Sequence, residues 1–172
     1  MSQVIPQTVL TDLKARYAEP HRAYHSWTHI ADLLEQFAQN RATIGQPVAV
    51  ELAVLFHDAI YDPRSATNEA DSAALLARTM QERTAERDLA CASALILATH
   101  RHTTDDVSAE WLDDAKLFLD MDLAILGADE KRFDAYDAAI RQEYAFVPIE
   151  DYCKRRGAIL RRFLERPRLY LT

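Results

Sequence analysis

The run Val50–Tyr61 places a histidine and an aspartate side by side, His57-Asp58, directly after Leu52, Ala53, Val54, Leu55 and Phe56. A carboxylate closing so apolar a run is costly to bury without a partner. Imidazole beside carboxylate is also a pairing that suits a metal ion. Alone, the dipeptide reads as a frayed, solvated helix end. Other residues raise its significance. His21, His25 and His29 fall within nine residues, in a chain with six histidines. His25 and His29 share a face if one helix holds both; otherwise His29 sits in a first turn and His25 in the loop before it. Farther on, the apolar stretch Trp111–Leu126 contains Asp120 and Asp122. At about 100° per residue these two point to opposite sides of a helix. Asp122 shares its side with Phe118, Leu119, Ile125 and Leu126. It is therefore the carboxylate expected inside, with Asp120 as the alternative.

His29, His57, Asp58 and Asp122 would together supply two imidazoles and two carboxylates. Such a mixed set suits Mn, Fe, Co, Ni or Zn better than calcium or a thiolate-preferring metal. Four protein ligands leave positions open on a six-coordinate ion, and an open position is what metal-assisted hydrolysis requires.

Helices must position these groups. Val4–Ala18 has Val9, Leu10, Leu13 and Tyr17 at helical spacing, and Glu19-Pro20 ends it. Ser26 or Thr28 caps a helix whose stripe is Ile30, Leu33, Leu34 and Phe37. Pro47 opens the His57-Asp58 helix and Asp62-Pro63 stops it. Thr67 or Asn68 caps a helix with a small-residue face, Ala70, Ala73, Ala74 and Ala77. Glu86–His102 carries Leu89, Ala92, Ser93, Ile96 and His100 as its stripe, which puts His100 inside and His102 outside. Asp129–Phe146 and Ile149–Glu165 complete the set, separated by Val147-Pro148. No stretch alternates with period two. The expected fold is therefore all-α, a helical bundle of about seven to eight helices forming one domain over residues 1–172.

Bulk properties agree. The 172 residues suffice for one real core. Only three glycines among many Ala, Leu, Glu and Arg residues favour helix. A net charge of -7 argues against nucleic acid and anionic membranes as partners. It leaves room for a small phosphorylated substrate, because a bound metal inverts the local field. Cys91 and Cys153 are expected as buried free thiols rather than a disulfide. No signal peptide or membrane span is evident, so the expected location is cytoplasmic. Tyr144, Phe146 and Tyr170 suggest a partner surface, compatible with a homo-oligomer.

In order and in flanking residues, these motifs resemble the HD-domain metal-dependent phosphohydrolases. The signature of that superfamily is a His, then His-Asp, then a distant Asp on an all-helical core. His29, His57-Asp58 and Asp122 fit it. The segments Tyr24-His25-Ser26-Trp27-Thr28-His29, Phe56-His57-Asp58 with Tyr61-Asp62, Asn68-Glu69 with Ser72-Ala73, and Leu119-Asp120-Met121-Asp122-Leu123 are similar to one sparsely characterised bacterial branch. The likeness spans roughly Tyr17 to Arg166.

The resemblance implies a divalent metal held by His29, His57, Asp58 and Asp122, with cleavage of a phosphoester or phosphoanhydride. The substrate class is a nucleotide or another small phosphorylated metabolite, and the attacking group a hydroxide generated at the metal. Asp58 or Glu69 would manage the proton, although Glu69 could equally be a helix-end charge. His25 and His100 could contact phosphate, hold a second metal, or be structural histidines. Arg22 is a candidate phosphate clamp. The alternative function is a non-catalytic metal- or nucleotide-binding helical module. Solvent access discriminates: a closed site favours the module, an open cleft the enzyme.

Overall fold

The fold is built around one helix that is apolar but for Glu51. In the computed structural model, which describes residues 5–172, every residue from Ala49 to Phe56 is buried. A helix with no polar face must be surrounded. This one, α3 (Pro47–Phe56), packs against α2 (Trp27–Asn40), α4 (Asn68–Met80), α5 (Glu86–Ala98) and α6 (Leu112–Asp122). Preceding them is α1 (Gln7–Arg16); following them are α7 (Glu130–Glu143) and α8 (Ile149–Leu164). The described residues thus form eight α-helices and no strand, an all-α bundle as expected. No helix among them is long and apolar enough to cross a membrane.

Pro47 opens α3, and Thr67, not Asn68, stands at the N-cap of α4. The expected start of the first helix at Val4 lies outside the described residues; α1 begins at Gln7. Three helices end earlier than their apolar patterns suggest. The pattern running to Tyr61 stops as helix at Phe56, and Glu86–His102 stops at Ala98. Trp111–Leu126 divides into α6 and a tighter 3-10 segment, Leu123–Gly127. Apolar periodicity thus continues into turns that remain packed against the core.

The early end of α5 corrects two histidines. Its buried face runs through Cys91, Ala92, Leu95, Ile96 and Thr99, which leaves His100 one step beyond it, with a side chain 53% exposed. His102, expected outside, turns inward. Cys153 is a further correction: Cys91 is buried, but Cys153 is exposed on the outer side of α8. Of the aromatic residues expected to mark a partner surface, only Phe146 is exposed. Tyr144 is half-buried and lines a cleft, and Tyr170 packs so closely on Gly127 that a Cβ there would collide with its hydroxyl.

Candidate metal centre and its cavity

The centre depends on a turn that the end of α3 cannot hold by itself. After Phe56 the last carbonyls of the helix lose their intrahelical partners. Side chains from other elements replace them. Tyr17 donates its hydroxyl to Leu55 O at 3.0 Å. Arg22 donates to Asp58 O at 2.7 Å and to Ala59 O at 3.2 Å. Ser72 Oγ accepts from Ile60 N at 3.0 Å and donates to its carbonyl at 3.3 Å. Asn68 does the same for Asp62, accepting from its N–H at 3.0 Å and donating to its carbonyl at 2.9 Å. The Asn68 and Ser72 positions, four apart on α4, therefore serve the turn that presents His57 and Asp58.

Arg22 is accordingly a strut. Its side chain is fully buried, also binds His25 O at 3.1 Å and Glu19 at 3.0 Å, and does not line the cavity where a phosphate clamp would stand. Arg22→Ala leaves three carbonyls without this donor. The expected loss, read from chemical denaturation, is about 2–4 kcal/mol of stability. A loss under 1 kcal/mol, with weaker phosphate binding instead, would restore the clamp.

His29 from α2, His57 from the end of α3 and Asp122 from the end of α6 each offer a ligand atom, all within 4.8 Å of one another. His29 Nε2 lies 3.3 Å from His57 Nε2 and 3.1 Å from Asp122 Oδ1, and His57 Nε2 lies 3.5 Å from that oxygen. Asp58 Oδ2 adds a contact of 3.0 Å to His57 and 3.8 Å to His29. Donor atoms about 2.0–2.2 Å from a common ion stand about 2.8–3.6 Å apart at ordinary ligand angles. The three-residue cluster fits a metal ion on this test. His57 Nδ1 lies 3.1 Å from Val54 O, which fixes that nitrogen as donor and leaves Nε2 for the centre.

Charge in the cluster is tightly balanced. Burial works against an imidazolium at His57, yet the carboxylates of Asp58 and Asp122 outweigh it and hold the ring well above the usual histidine range. Burial likewise works against ionised Asp58 and Asp122. The His57 charge, ahead of His25, keeps Asp58 below its ordinary value, and hydrogen bonds from His102, His29 and His57 do the same for Asp122. Two carboxylates that stay ionised at buried positions make a site suited to a cation.

Asp120 is separated from the cluster by its partners rather than by burial. It accepts from Leu171 N at 2.7 Å, Thr172 N at 2.8 Å and Thr172 Oγ at 2.6 Å, and so holds the chain's last residues.

Two residues escaped the sequence reading. His102 Nε2 lies 2.9 Å from Asp122 Oδ2, across the carboxylate from His29. Its φ of 49° is in the left-handed region, uncommon for a residue with a Cβ. Arg166 holds this turn by donating to His102 O and Arg101 O, both at 3.0 Å. The other is Glu143, at the end of α7. One oxygen accepts from the consecutive N–H groups of Ala23, Tyr24 and His25 at 2.7–2.9 Å. The other contacts His25 Nδ1 at 2.6 Å and accepts from the Tyr61 hydroxyl at 2.7 Å. His25 is thereby fixed against the Tyr61 ring, 4.2 Å between centroids, at the edge of the centre. The spacing of an acidic residue in α7 carries no signal of this role.

The cluster opens on a cavity of about 680 Å³, lined in part by His25, Asp58, Glu69, His100 and His102. Glu69 pairs with His100 Nδ1 at 3.2 Å on its rim. His29 and Asp122 also border a second cavity, of about 360 Å³, between α2 and the Leu123–Gly127 turn. No family model matches the chain, and no curated protein or solved structure does so either.

Proposed function

We propose that this protein is a metal-dependent phosphohydrolase of the HD type, acting on a nucleotide or another small phosphorylated metabolite. The observation that carries the reading is that the His29–His57–Asp122 cluster lines an open cavity large enough for a small-molecule substrate. A metal sealed from solvent on all sides would serve structure alone. The order of His29, His57-Asp58 and Asp122 along the chain adds support.

A bound divalent ion supplies acidification of a water and polarisation of a phosphoryl oxygen. The chain's own residues do the rest. His29, His57 and Asp122 would hold the ion, with Asp58 beside the two imidazoles. His102 keeps the outer oxygen of Asp122 engaged, so that the carboxylate presents its other oxygen to the centre. Water attacks phosphorus, its proton passes to a carboxylate, and the P–O bond to the leaving group breaks. Asp58 is at the centre for the proton, while Glu69 stands on the rim paired with His100. His25, held by Glu143, borders the cavity where a phosphate would lie.

The test is phosphate release from a broad panel of phosphorylated metabolites by protein loaded in turn with Mn, Fe, Co, Ni and Zn. Release from at least one class is expected, and its loss in a folded Asp122→Ala variant. A loaded protein inactive across the whole panel would remove the enzyme reading and leave the binding module.

A further inference from the structure

The chain is acidic overall, with a net charge of -7, yet one wall of the large cavity reverses that sign. Arg101, Arg156, Arg162 and Arg166 all line it, three of them from or just beyond α8. Two have structural partners. Arg166 holds the His102 turn. Arg156 donates Nε to Asp137 at 3.0 Å and lies 5.0 Å over the Tyr136 ring. Its Nη2, however, is buried without a hydrogen-bond partner. That atom has no surface open to the cavity, and the Tyr136 side chain also engages the group, so Arg156 adds charge to the wall rather than a free donor. Arg162 is exposed on the same wall, with no hydrogen bond or ion pair to another described residue. Nearby acidic groups are already engaged: Glu69 by His100, and Asp122 by three histidines.

We infer that the α8 wall is an anion subsite, so that the substrate carries a second phosphate group besides the one at the His–Asp cluster. The inference rests on the phosphohydrolase reading and narrows it to bisphosphates. Arg162 is the specificity-determining residue, and Arg156 supports it from the wall. Planar guanidinium groups match phosphate oxygens in a way that a solvated surface does not require. A positive wall inside an acidic protein also draws a multiply charged anion to this mouth.

The experiment is calorimetric titration of the metal-loaded full chain with two pairs of probes, phosphate release being followed in parallel. The pairs are ribose 5-phosphate with ribose 1,5-bisphosphate, and glucose 6-phosphate with glucose 1,6-bisphosphate. In at least one pair the bisphosphate is expected to bind roughly tenfold tighter or better, the scale of a charge-assisted contact. Arg162→Ala should erase that advantage and leave monophosphate binding alone. Arg161→Ala removes the same charge one residue away, outside the cavity lining, and should preserve the advantage. No advantage in either pair overturns the subsite, as does an advantage untouched by Arg162→Ala or equally lost in Arg161→Ala. If the metal-loaded chain neither binds nor hydrolyses any of the four probes or the wider panel, the phosphohydrolase reading fails and the subsite with it.

Discussion

Asp122→Ala should lower the affinity for a transition metal by roughly a hundredfold or more, since loss of a single supporting residue around a metal ligand already costs about 10–100-fold. The parent, purified without chelator or nickel resin, should carry near-stoichiometric metal. The reason is geometric. Asp122 Oδ1 lies within 3.5 Å of both ring nitrogens, 3.1 Å from His29 and 3.5 Å from His57, whereas Asp58 Oδ2 stands 3.8 Å from His29. His57→Ala should behave alike, because its Nδ1 is committed to Val54 O and its Nε2 to the centre. Stability provides a second readout. A ligand held at a thousand times its Kd adds about 4 kcal/mol to folding. Chelator should therefore lower the Tm of the parent and leave both variants unmoved. A parent that takes up none of Mn, Fe, Co, Ni or Zn on reconstitution would sink the metal centre, as would an Asp122→Ala protein with parental affinity.

Glu143→Ala should cost about 3–5 kcal/mol, the scale expected when one member of a buried charged network is removed. At this chain length that corresponds to a Tm fall of roughly 10–15 °C. The carboxylate gathers three backbone N–H groups, the Tyr61 hydroxyl and His25, and truncation leaves these polar groups without their acceptor. A difference below 1 kcal/mol would contradict the account. The pH dependence has a definite sign. Burial pushes the Glu143 carboxyl up, but the hydrogen bond and charge of His25, with the Tyr61 hydroxyl, bring it down to about 2, against an ordinary value of 4.5. The folded pKa lies below the unfolded one, so the stabilisation is complete above about pH 4.5 and disappears as pH falls toward 2. The shift corresponds to about 3 kcal/mol. In Glu143→Gln, which cannot ionise, the stability gap to the parent should narrow across that window. Comparing parent with variant subtracts the acid titration of Asp58 and Asp122. A gap constant from pH 6 to pH 2.5 would place the depressed carboxyl elsewhere.

Several features followed from local pattern alone. Apolar spacing located each helix core, Pro47 marked the start of α3, and rarity of glycine with absence of alternation set the all-α class. The same reasoning separated Asp122 from Asp120, because residues two apart on one helix point about 200° away from each other. Clustering of three histidines within nine residues singled out His29, and the apolar run that closes on His57-Asp58 singled out His57.

Helix periodicity failed where the helix itself ended. His100 and His102 exchanged places because α5 stops at Ala98, and the left-handed turn at His102 contains no glycine to announce it. Arg22 was legible as a cation near the motif, yet its partners are backbone carbonyls 36 and 37 residues away, and every residue type supplies a carbonyl. Glu143 reaches across about 120 residues to three N–H groups that are equally anonymous in sequence. The α8 arginines carry no signal of a cavity in the sequence; packing turns part of that helix onto it. Residue type and spacing determine which side chains can do chemistry and which face of a helix bears them. Which backbone groups those side chains satisfy, and which charges then stand free around the centre, is decided only when distant helices meet.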